Sequence, residues 1–300
     1  MRYPSLSPPS LHRGEGKGEG GCYSIFCMIA MDDPILWALP IIGLIGGFLS
    51  GLLGLGGGVV LLPLLTWAGN VPLKLATGTT LVQVIIAAAI GVIAHHRGGM
   101  VDFRLGLVLG IAGIAGGIAG SFLSVPLSTQ SLEFIFLFIV GIAIVLLFIS
   151  QKLYDIHPQG GKFNKILGSS IGFGVGSLTG LLGVGGGFLI IPLMIYCLNI
   201  PLRVAIGSSL LFILISSLGT LVVKCKIGHV HLLTTMLVIS GSVIGALLGV
   251  YVSRRTQVKF LQLALLTILV FIFITAGYKV FFDSSSYDPP TKYHTESQKR

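Results

Sequence analysis

The sequence predicts an all-α protein: a polytopic transmembrane helical bundle of two homologous repeats, with eight to ten membrane segments and helices broken at glycine clusters. Three observations predict this fold. Hydrophobic residues make up 53% of the 300 residues and charged residues 10%, and the mean hydropathy is +0.96. The apolar residues form long uninterrupted blocks, as membrane-spanning helices do. The first half of the chain also resembles the second half at a constant spacing.

This composition excludes the soluble and the disordered classes of protein, because too few polar residues are present to cover a surface in water. An average soluble domain has about 25% charged residues. The formal net charge is +9, but the lysines and arginines concentrate in the tails and between the apolar blocks. That distribution is typical of topology signals and of contacts with anionic lipid headgroups. We therefore expect the lipid bilayer as a partner and no nucleic acid.

The ends of the chain differ from its middle. Residues 1–31 are rich in Pro, Gly and Ser, which predicts a disordered tail or a mis-assigned start. Residues 283–300 are polar and predict a second disordered tail. Between the tails we expect transmembrane repeat 1 (32–151), a polar linker (152–162) and transmembrane repeat 2 (163–282).

Eight apolar blocks occupy the two repeats. They lie at about 35–69, 76–94, 105–127, 134–150, 166–198, 204–223, 232–252 and 260–282. A membrane-spanning helix needs about 20 residues. The first and the fifth blocks are much longer than one span, and each contains a glycine cluster past its middle. We interpret each of these two blocks as a full helix, a break and a shorter second helix.

The sequence of the first long block aligns with that of the second long block without a gap when residue 51 is paired with residue 180. Residues 51–81 and 180–210 are then identical at 15 of 31 positions. This pairing, which we call the repeat alignment, also places spaced glycines of the first half (Gly43, Gly47 and Gly51) on those of the second (Gly172, Gly176 and Gly180). Spaced small residues are typical of helix faces that pack closely in membranes.

Two topologies stay open. Eight crossings place most Lys and Arg on the side of the chain termini, as expected of cytoplasmic segments. Ten crossings, five in each half, make the repeats inverted, which fits the length of the two long blocks and is common among transporters. The charge count treats Lys224 as a loop cation, and His95 and His96 are expected in a loop at the membrane edge.

The glycine clusters carry the main functional hypothesis. A glycine triplet destabilises a helix and frees backbone N–H and C=O groups that lipid cannot satisfy. The helix that follows then directs its N-terminal N–H groups, the positive end of its dipole, into a polar cavity, which makes an anion site from backbone. The alternative is tight helix crossing through small residues. The candidate substrate-binding glycines are Gly54, Gly56, Gly57, Gly58, Gly183, Gly185, Gly186 and Gly187.

Polar residues that follow each cluster complete the candidate site. They are Asn70, Thr79, Thr80 and Gln83 in the first half and Asn199, Ser208 and Ser209 in the second. The asparagines precede prolines and also fit ordinary turns. The hydroxyl groups either cap a helix or bind the substrate. Gln83 is an amide inside an apolar block and needs hydrogen-bond partners there. Lys74 and Arg203 are expected to attract anions at the two mouths of the pathway.

Patterns for catalysis and for metal binding are missing from the sequence. No Asp or Glu lies in the middle of an apolar block, so we expect no buried acid relay. No His lies within an apolar block to serve as the base for a serine nucleophile. The four cysteines form neither a C-x-x-C pair nor a Cys/His ligand set. We therefore predict that the protein is not an enzyme and that it has no catalytic residues, cofactor or metal site.

The doubled pattern GLLGxGGG…P…N-x-P…G-[TS]-[TS]-L resembles the TauE/SafE sulfite exporter family, also called the TSUP permeases. The similarity runs from about 40 to 280, and the motif occurs in both halves. The resemblance implies a multi-pass protein of the prokaryotic cytoplasmic membrane that transports sulfur-containing anions such as sulfite, sulfoacetate, other sulfonates or thiosulfate. It also implies that the GLGGG and GVGGG segments, and the TGTT and GSS segments after them, are signature positions.

The residues and the resemblance together predict a transporter of small anions, with sulfite or an organosulfonate as the first candidate. We expect alternating access about a site between the two repeats. Coupling to a proton or a sodium ion is one option, and both the coupling ion and a homo-oligomer stay open. The alternatives are a passive anion channel, a permease that takes up thiosulfate or another sulfur compound, and a membrane scaffold with vestigial repeats.

Overall fold

The computed structural model describes residues 33–67, 71, 73–154, 164–226 and 232–282, which form ten α-helices. They are α1 (Asp33–Leu53), α2 (Gly58–Trp67), α3 (Leu73–His96), α4 (Phe103–Leu123), α5 (Thr129–Tyr154), α6 (Lys165–Leu182), α7 (Gly187–Leu198), α8 (Leu202–Lys226), α9 (Leu232–Arg255) and α10 (Val258–Phe282). The predicted all-α class is confirmed. The predicted tails 1–31 and 283–300 lie outside the described residues, as does the linker after Tyr154.

Seven of the described helices are long and apolar enough to cross a membrane: α3, α4, α5, α6, α8, α9 and α10. The described side chains of α1 add a shorter apolar stretch, Ala38–Leu53. The helices α2 and α7 have only 10 and 12 residues, which corresponds to about 15 and 18 Å. Neither is long enough to span about 30 Å of hydrocarbon as a straight helix.

The distribution of side chains fits a lipid environment. Large apolar side chains point outward, and Phe138 and Phe271 are 70% and 66% exposed. Polar side chains such as Ser50, Gln83 and Thr220 are fully buried among the helices. A soluble protein shows the opposite arrangement, since it buries its large apolar side chains and exposes its polar ones. The protein is therefore a multi-pass membrane protein.

Each long block of the sequence divides at its glycine cluster. The helix α1 ends at Leu53 and α2 begins at Gly58; α6 ends at Leu182 and α7 begins at Gly187. Three glycines in each connection have φ values between +66° and +84°: Gly54, Gly56 and Gly57 in the first, and Gly183, Gly185 and Gly186 in the second. A side chain with a Cβ is disfavoured in this left-handed region. We call these two connections the glycine turns.

The spaced glycines let neighbouring helices approach until their backbones touch. A Cβ at any of these positions would overlap the backbone of the facing helix. Along α1, Gly43, Gly47 and Gly51 face Val238, Ser242 and Ala246 of α9 in that order. Along α6, Gly172, Gly176 and Gly180 face Leu109, Gly113 and Gly117 of α4 in that order. In both pairs the two residue numbers rise together, so the helices are parallel.

Two further pairs of packed helices, α3 with α9 and α4 with α8, extend this arrangement into two groups of parallel helices. Thr79 and Gln83 of α3 meet Thr235 and Ser242 of α9, so α3 is parallel to α9 and hence to α1. Gly106, Gly110 and Gly117 of α4 face Leu211, Ile215 and Thr220 of α8, so α4, α6 and α8 are parallel. The connection of residues 97–102 between α3 and α4 is too short to cross the bilayer, so the two groups point in opposite directions.

These directions bear on the topology that the sequence left open. The repeat alignment maps α1, α3 and α4 onto α6, α8 and α9, each of which points the opposite way. The two halves are therefore inverted, with five helices in each. Because α1 and α3 point in the same direction, the chain must reverse its direction after α1 before α3 can begin. The first glycine turn and α2 make this reversal. The helices α2 and α7 do so within about half the thickness of a bilayer.

Gly120→Ala is expected to lower the thermal midpoint of the purified protein by roughly 3–10 °C. A Cβ at Gly120 would overlap the Ser177 carbonyl of α6, and overpacking of this kind costs about 1–3 kcal/mol. The control is Gly174→Ala on α6, where a Cβ would meet nothing within 4 Å. The control should leave the midpoint unchanged or raise it slightly, since Ala favours helix over Gly. Equal midpoints for the two variants would contradict this account of the packing.

Candidate functional site

The two glycine turns meet in the middle of the bundle. Gly58 lies against the Val184 backbone, and Gly187 lies against the Leu55 backbone. The repeat alignment pairs Gly58 with Gly187 and Leu55 with Val184. The two contacts are therefore equivalent, and each joins a glycine of one half to the turn of the other half. Every residue from Gly54 to Gly58 and from Gly183 to Gly187 is buried. The fold therefore brings together all eight glycines of the candidate site.

One side chain from each half packs against both turns. Val84 on α3 and Ile213 on α8 are equivalent in the repeat, and both are fully buried. A Cβ added at Gly56 would lie 3.2 Å from Val84 and from Ile213, and one at Gly185 would lie 2.7 Å from Val84. The turns therefore fit around the crossing of α3 and α8, and glycine is needed for this approach.

One hydroxyl group ties each glycine turn to the opposite half. Thr80 donates to the carbonyl oxygen of Gly183 at 2.8 Å, and Ser209 donates to that of Gly54 at 2.9 Å. Each hydroxyl also lies within hydrogen-bond distance of a carbonyl three residues earlier in its own helix. These contacts satisfy the carbonyl groups released where α6 and α1 end. Thr80 and Ser209 therefore contact the C-terminal ends of helices in the opposite half, whereas the capping role expected for them was at the start of their own helices.

The neighbouring hydroxyl groups differ between the halves. Thr79 is fully buried and accepts a hydrogen bond from the Thr235 hydroxyl of α9 at 3.4 Å. Ser208 is fully buried and accepts one from the backbone N–H of Asp102 at 2.9 Å. Asp102 in turn caps the N-terminus of α4 by accepting from the Leu105 N–H. Ser208 therefore fixes the start of α4, and Thr79 fixes the approach of α9.

Gln83 lies beside the first glycine turn. Its Nε2 donates to the Ser242 hydroxyl at 2.8 Å, and a Cβ at Gly57 would lie 3.3 Å from the same nitrogen. The side chain is fully buried, and within the described part of the chain its Oε1 has no hydrogen-bond partner. The equivalents of Gln83 and Ser242 in the other half are Phe212 and Gly113. This polar pair thus occurs at one turn and not at the other.

Other candidate residues lie away from the turns. Asn199 ends α7 in the left-handed conformation, with a φ of 52°, and its N–H donates to Met194 O, as a helix-ending residue does. Asn70 and the side chain of Lys74 lie outside the described residues. Arg203 donates to the carbonyl oxygens of Thr256 and Arg254 at the C-terminal end of α9.

A pocket reaches the edge of the second glycine turn. It opens beside α2 and is mainly apolar, with Thr66, Thr77 and Glu133 as its polar lining residues. Thr77 and Leu182 line this pocket, and Thr77 also lies against Gly183. The pocket therefore extends from α2 to residues beside this turn. Among the described residues, no group of three His, Cys, Asp or Glu suits a metal ion.

Two titratable residues that were expected at the membrane surface are buried. His95 is 1% exposed and Lys224 is 2% exposed. They are equivalent in the repeat and occupy the last turns of α3 and α8. The expectation of exposed loop residues was wrong, because both residues belong to helices and α1 and α4 cover these helix ends in space. The repeat alignment, which pairs His95 with Lys224, was the signal in the sequence that could have found them.

Comparisons with known proteins agree on one family. The family described as sulfite exporter TauE/SafE matches residues 39–276. The probable membrane transporter protein YunE of Bacillus subtilis is 28% identical over 257 residues, which is 78% of this chain and 94% of that protein. The probable membrane transporter protein YjnA of the same organism is 31% identical over 78% of this chain and 96% of its own. MJ0441 of Methanocaldococcus jannaschii, another probable membrane transporter protein, is 26% identical over 81% of this chain and 96% of its own length. No solved structure matches the chain.

Proposed function

The chain belongs to the TauE/SafE sulfite exporter family, and we propose that it is a secondary transporter of small oxyanions, sulfite or an organosulfonate, that works by alternating access between its two halves. The reciprocal contact of the two glycine turns carries this proposal. It joins two half-length helices at one place in the middle of an inverted repeat, which is where transporters of this construction bind their substrates.

The start of each short helix supplies groups that suit an anion. The helices α2 and α7 begin at Gly58 and Gly187, where the positive ends of their dipoles lie close to the facing turn. Backbone N–H groups at such a position bind oxyanions without a buried cation. In the conformation described, the turns are packed against each other, so anion binding requires the two halves to separate at this point.

Gln83 adds a polar side chain to this place in the first half. A side-chain amide carries two N–H donors, and the assignment of its nitrogen and oxygen follows from the hydrogen-bond network. An amide that lies against Gly57 can donate to an oxyanion bound at the start of α2. Because the equivalent residue is Phe212, the two halves contribute unequally to the substrate site, which orients an asymmetric anion such as a sulfonate.

The test is anion flux in proteoliposomes. Vesicles that contain the purified protein are loaded with radiolabelled sulfite, a pH gradient is imposed, and release is compared with that from protein-free vesicles. Saturable release that follows the gradient supports a coupled carrier. Release that ignores proton and sodium gradients, at a rate beyond the turnover of a carrier, would replace it with an anion channel. Thiosulfate and methanesulfonate, tested as competitors, distinguish a sulfite or sulfonate transporter from a thiosulfate permease.

Gln83→Leu is expected to raise the KM for the transported anion about 10-fold or more while the protein stays folded. A hydrogen bond to a charged group contributes about 1.5–3 kcal/mol, and leucine is close to glutamine in volume. The measurement is the concentration dependence of initial flux. Phe212→Leu is the matched control, because it changes the equivalent position without removing a polar group, and its KM should stay within about twofold of the unmodified protein. The same KM for both variants would remove Gln83 from the substrate site.

A further inference from the structure

A histidine with an unsatisfied nitrogen is buried at the end of α3. The Nε2 atom of His95 lies 3.2 Å from the carbonyl oxygen of Gly51 on α1. Its Nδ1 is buried and has no hydrogen-bond partner within the described residues. The next residue, His96, is exposed, and its ring meets the edge of Phe103. At this end of α3, His95 is therefore buried while its neighbour His96 is exposed.

The charged surroundings of His95 come from a few neighbouring elements. Arg254 on α9 donates to the carbonyl oxygen of Ala94, the residue before His95. Arg203, at the start of α8, reaches the Arg254 carbonyl. On its own helix and the turn after it, His95 is followed by His96 and Arg97. The α1 helix contributes the Gly51 carbonyl and no charged side chain between Ala38 and Leu53. His95 is thus a titratable group beside cations, without a neighbouring carboxylate among these residues.

The repeat places a second titratable group at the opposite end of the molecule. Lys224 is the equivalent of His95, and its Nζ donates to the Ser124 hydroxyl at 2.8 Å. Since α3 and α8 point in opposite directions, His95 and Lys224 lie near opposite surfaces of the bundle. Both sit in the last turn of a helix, where the dipole favours positive charge. Of the two side chains, histidine is the one that ordinarily gains and loses its proton near neutral pH.

Protonation of His95 would require a change of structure. A neutral imidazole that donates from Nε2 to Gly51 leaves Nδ1 as an acceptor, whereas the imidazolium has two N–H donors and a charge. A buried charge needs a hydrogen-bond partner, and no described residue supplies one at Nδ1. Gly51 lies in the last turn of α1, three residues before the first glycine turn. A shift of His95 is therefore transmitted directly to the backbone that begins this turn.

We propose that His95 is the proton-binding residue that couples anion transport to the proton gradient. This inference rests on the proposed function and names its coupling ion. The proton enters from water on one side, binds Nδ1 of His95, and leaves to water on the other side when the protein has changed conformation. Binding of the proton at His95 and binding of the anion at the glycine turns favour the same conformation, so each strengthens the other.

The first experiment measures coupling with the intact protein in proteoliposomes. Radiolabelled sulfite accumulation is followed at an imposed difference of one pH unit, with the membrane potential clamped by potassium and valinomycin. The unmodified protein should accumulate sulfite about tenfold, which is the equilibrium ratio for one proton per anion. His95→Gln keeps a donor for the Gly51 carbonyl but does not titrate, so accumulation should fall to about 1 while downhill exchange of sulfite continues. His96→Gln, the exposed neighbour, should behave like the unmodified protein.

The second experiment does not depend on flux. Protein with ¹⁵N-labelled histidine rings in nanodiscs is titrated from pH 5 to 8 by NMR, with and without sulfite, and the His95 signals are identified by their loss in His95→Gln. We expect the His95 ring to take up a proton as the pH falls and its titration midpoint to move to higher pH when sulfite is added. A His95 ring that stays neutral throughout, or full coupling in His95→Gln, overturns the inference while leaving anion transport in place. No sulfite flux with a normal His95 titration instead rejects sulfite as the substrate and leaves the proton site standing.

Discussion

Gly57→Ala is expected to abolish anion flux and to lower the thermal midpoint further than alanine at either of two comparable glycines. Gly57 has a φ of +74°, and a Cβ at this position would overlap the Gly46 carbonyl of α1. The left-handed conformation alone costs an alanine about 1–2 kcal/mol. The overlap adds to that cost because the Gly46 carbonyl belongs to the backbone of a packed helix and cannot rotate away.

The chain offers these two glycines as matched controls. Gly99 has a φ of +66°, but a Cβ there would meet nothing within 4 Å, so Gly99→Ala isolates the conformational cost. Gly186 is the repeat equivalent of Gly57, and its Cβ would overlap the Thr179 hydroxyl, a side-chain atom that can move. Midpoints should therefore fall least in Gly99→Ala, more in Gly186→Ala and most in Gly57→Ala. Normal flux in Gly57→Ala would show that the first glycine turn takes no part in transport.

Thr80→Val and Ser209→Ala each remove a hydroxyl group that contacts the glycine turn of the opposite half. Each substitution is expected to destabilise the protein and to slow transport strongly. Each substitution takes a hydrogen bond from a buried carbonyl oxygen at a glycine turn, that of Gly183 or that of Gly54. An unsatisfied buried polar group costs about 1–3 kcal/mol. The two bonds hold opposite halves of the molecule together, so their loss also changes the balance between the conformations of a carrier.

A variant that carries both Thr80→Val and Ser209→Ala tests whether the two hydrogen bonds act on one shared site or independently of each other. Both hydroxyl groups act on turns that touch each other through Gly58 and Gly187, so we expect the two losses of stability to be non-additive by about 0.5 kcal/mol or more. The measurement is a double-mutant cycle on thermal or denaturant midpoints, together with flux. Thr267→Val is the control, because this exposed hydroxyl donates to Leu263 of its own helix at 2.8 Å. Additive effects, or a control as damaging as Thr80→Val, would contradict a coupled pair of turns.

The two halves share a backbone but differ in their polar side chains. At the first turn, Gln83 pairs with Ser242, whereas the second half has Phe212 and Gly113 at these positions. The ends of α3 and α8 likewise carry His95 and Lys224. An inverted repeat by itself would bind and release a ligand in the same way on both sides. We expect these differences to give the two directions of transport different chemistry.

Much of the fold could be predicted from the sequence because its signals are local or periodic. The hydropathy of single blocks predicts helices of membrane-spanning length, since each such helix satisfies its own backbone. The repeat alignment predicts the two halves, and the glycine triplets predict where the long blocks divide. The glycines of the candidate site were also identifiable, because glycine is the residue that the left-handed turns and the backbone contacts at Gly58 and Gly187 require.

The sequence by itself therefore determined the helical class, the membrane environment, the family and the position of the glycine turns. Only the tertiary structure decided which way the helices run and which side chains meet. Charge counting favoured eight crossings, yet the parallel packing of α1 on α9 makes the halves inverted. Gln83 and Ser242 are separated by 159 residues, and His95 and Lys224 are buried by helices distant in sequence. The physical reason is that burial and hydrogen bonding depend on neighbours in space, which the pattern of a single helix does not specify.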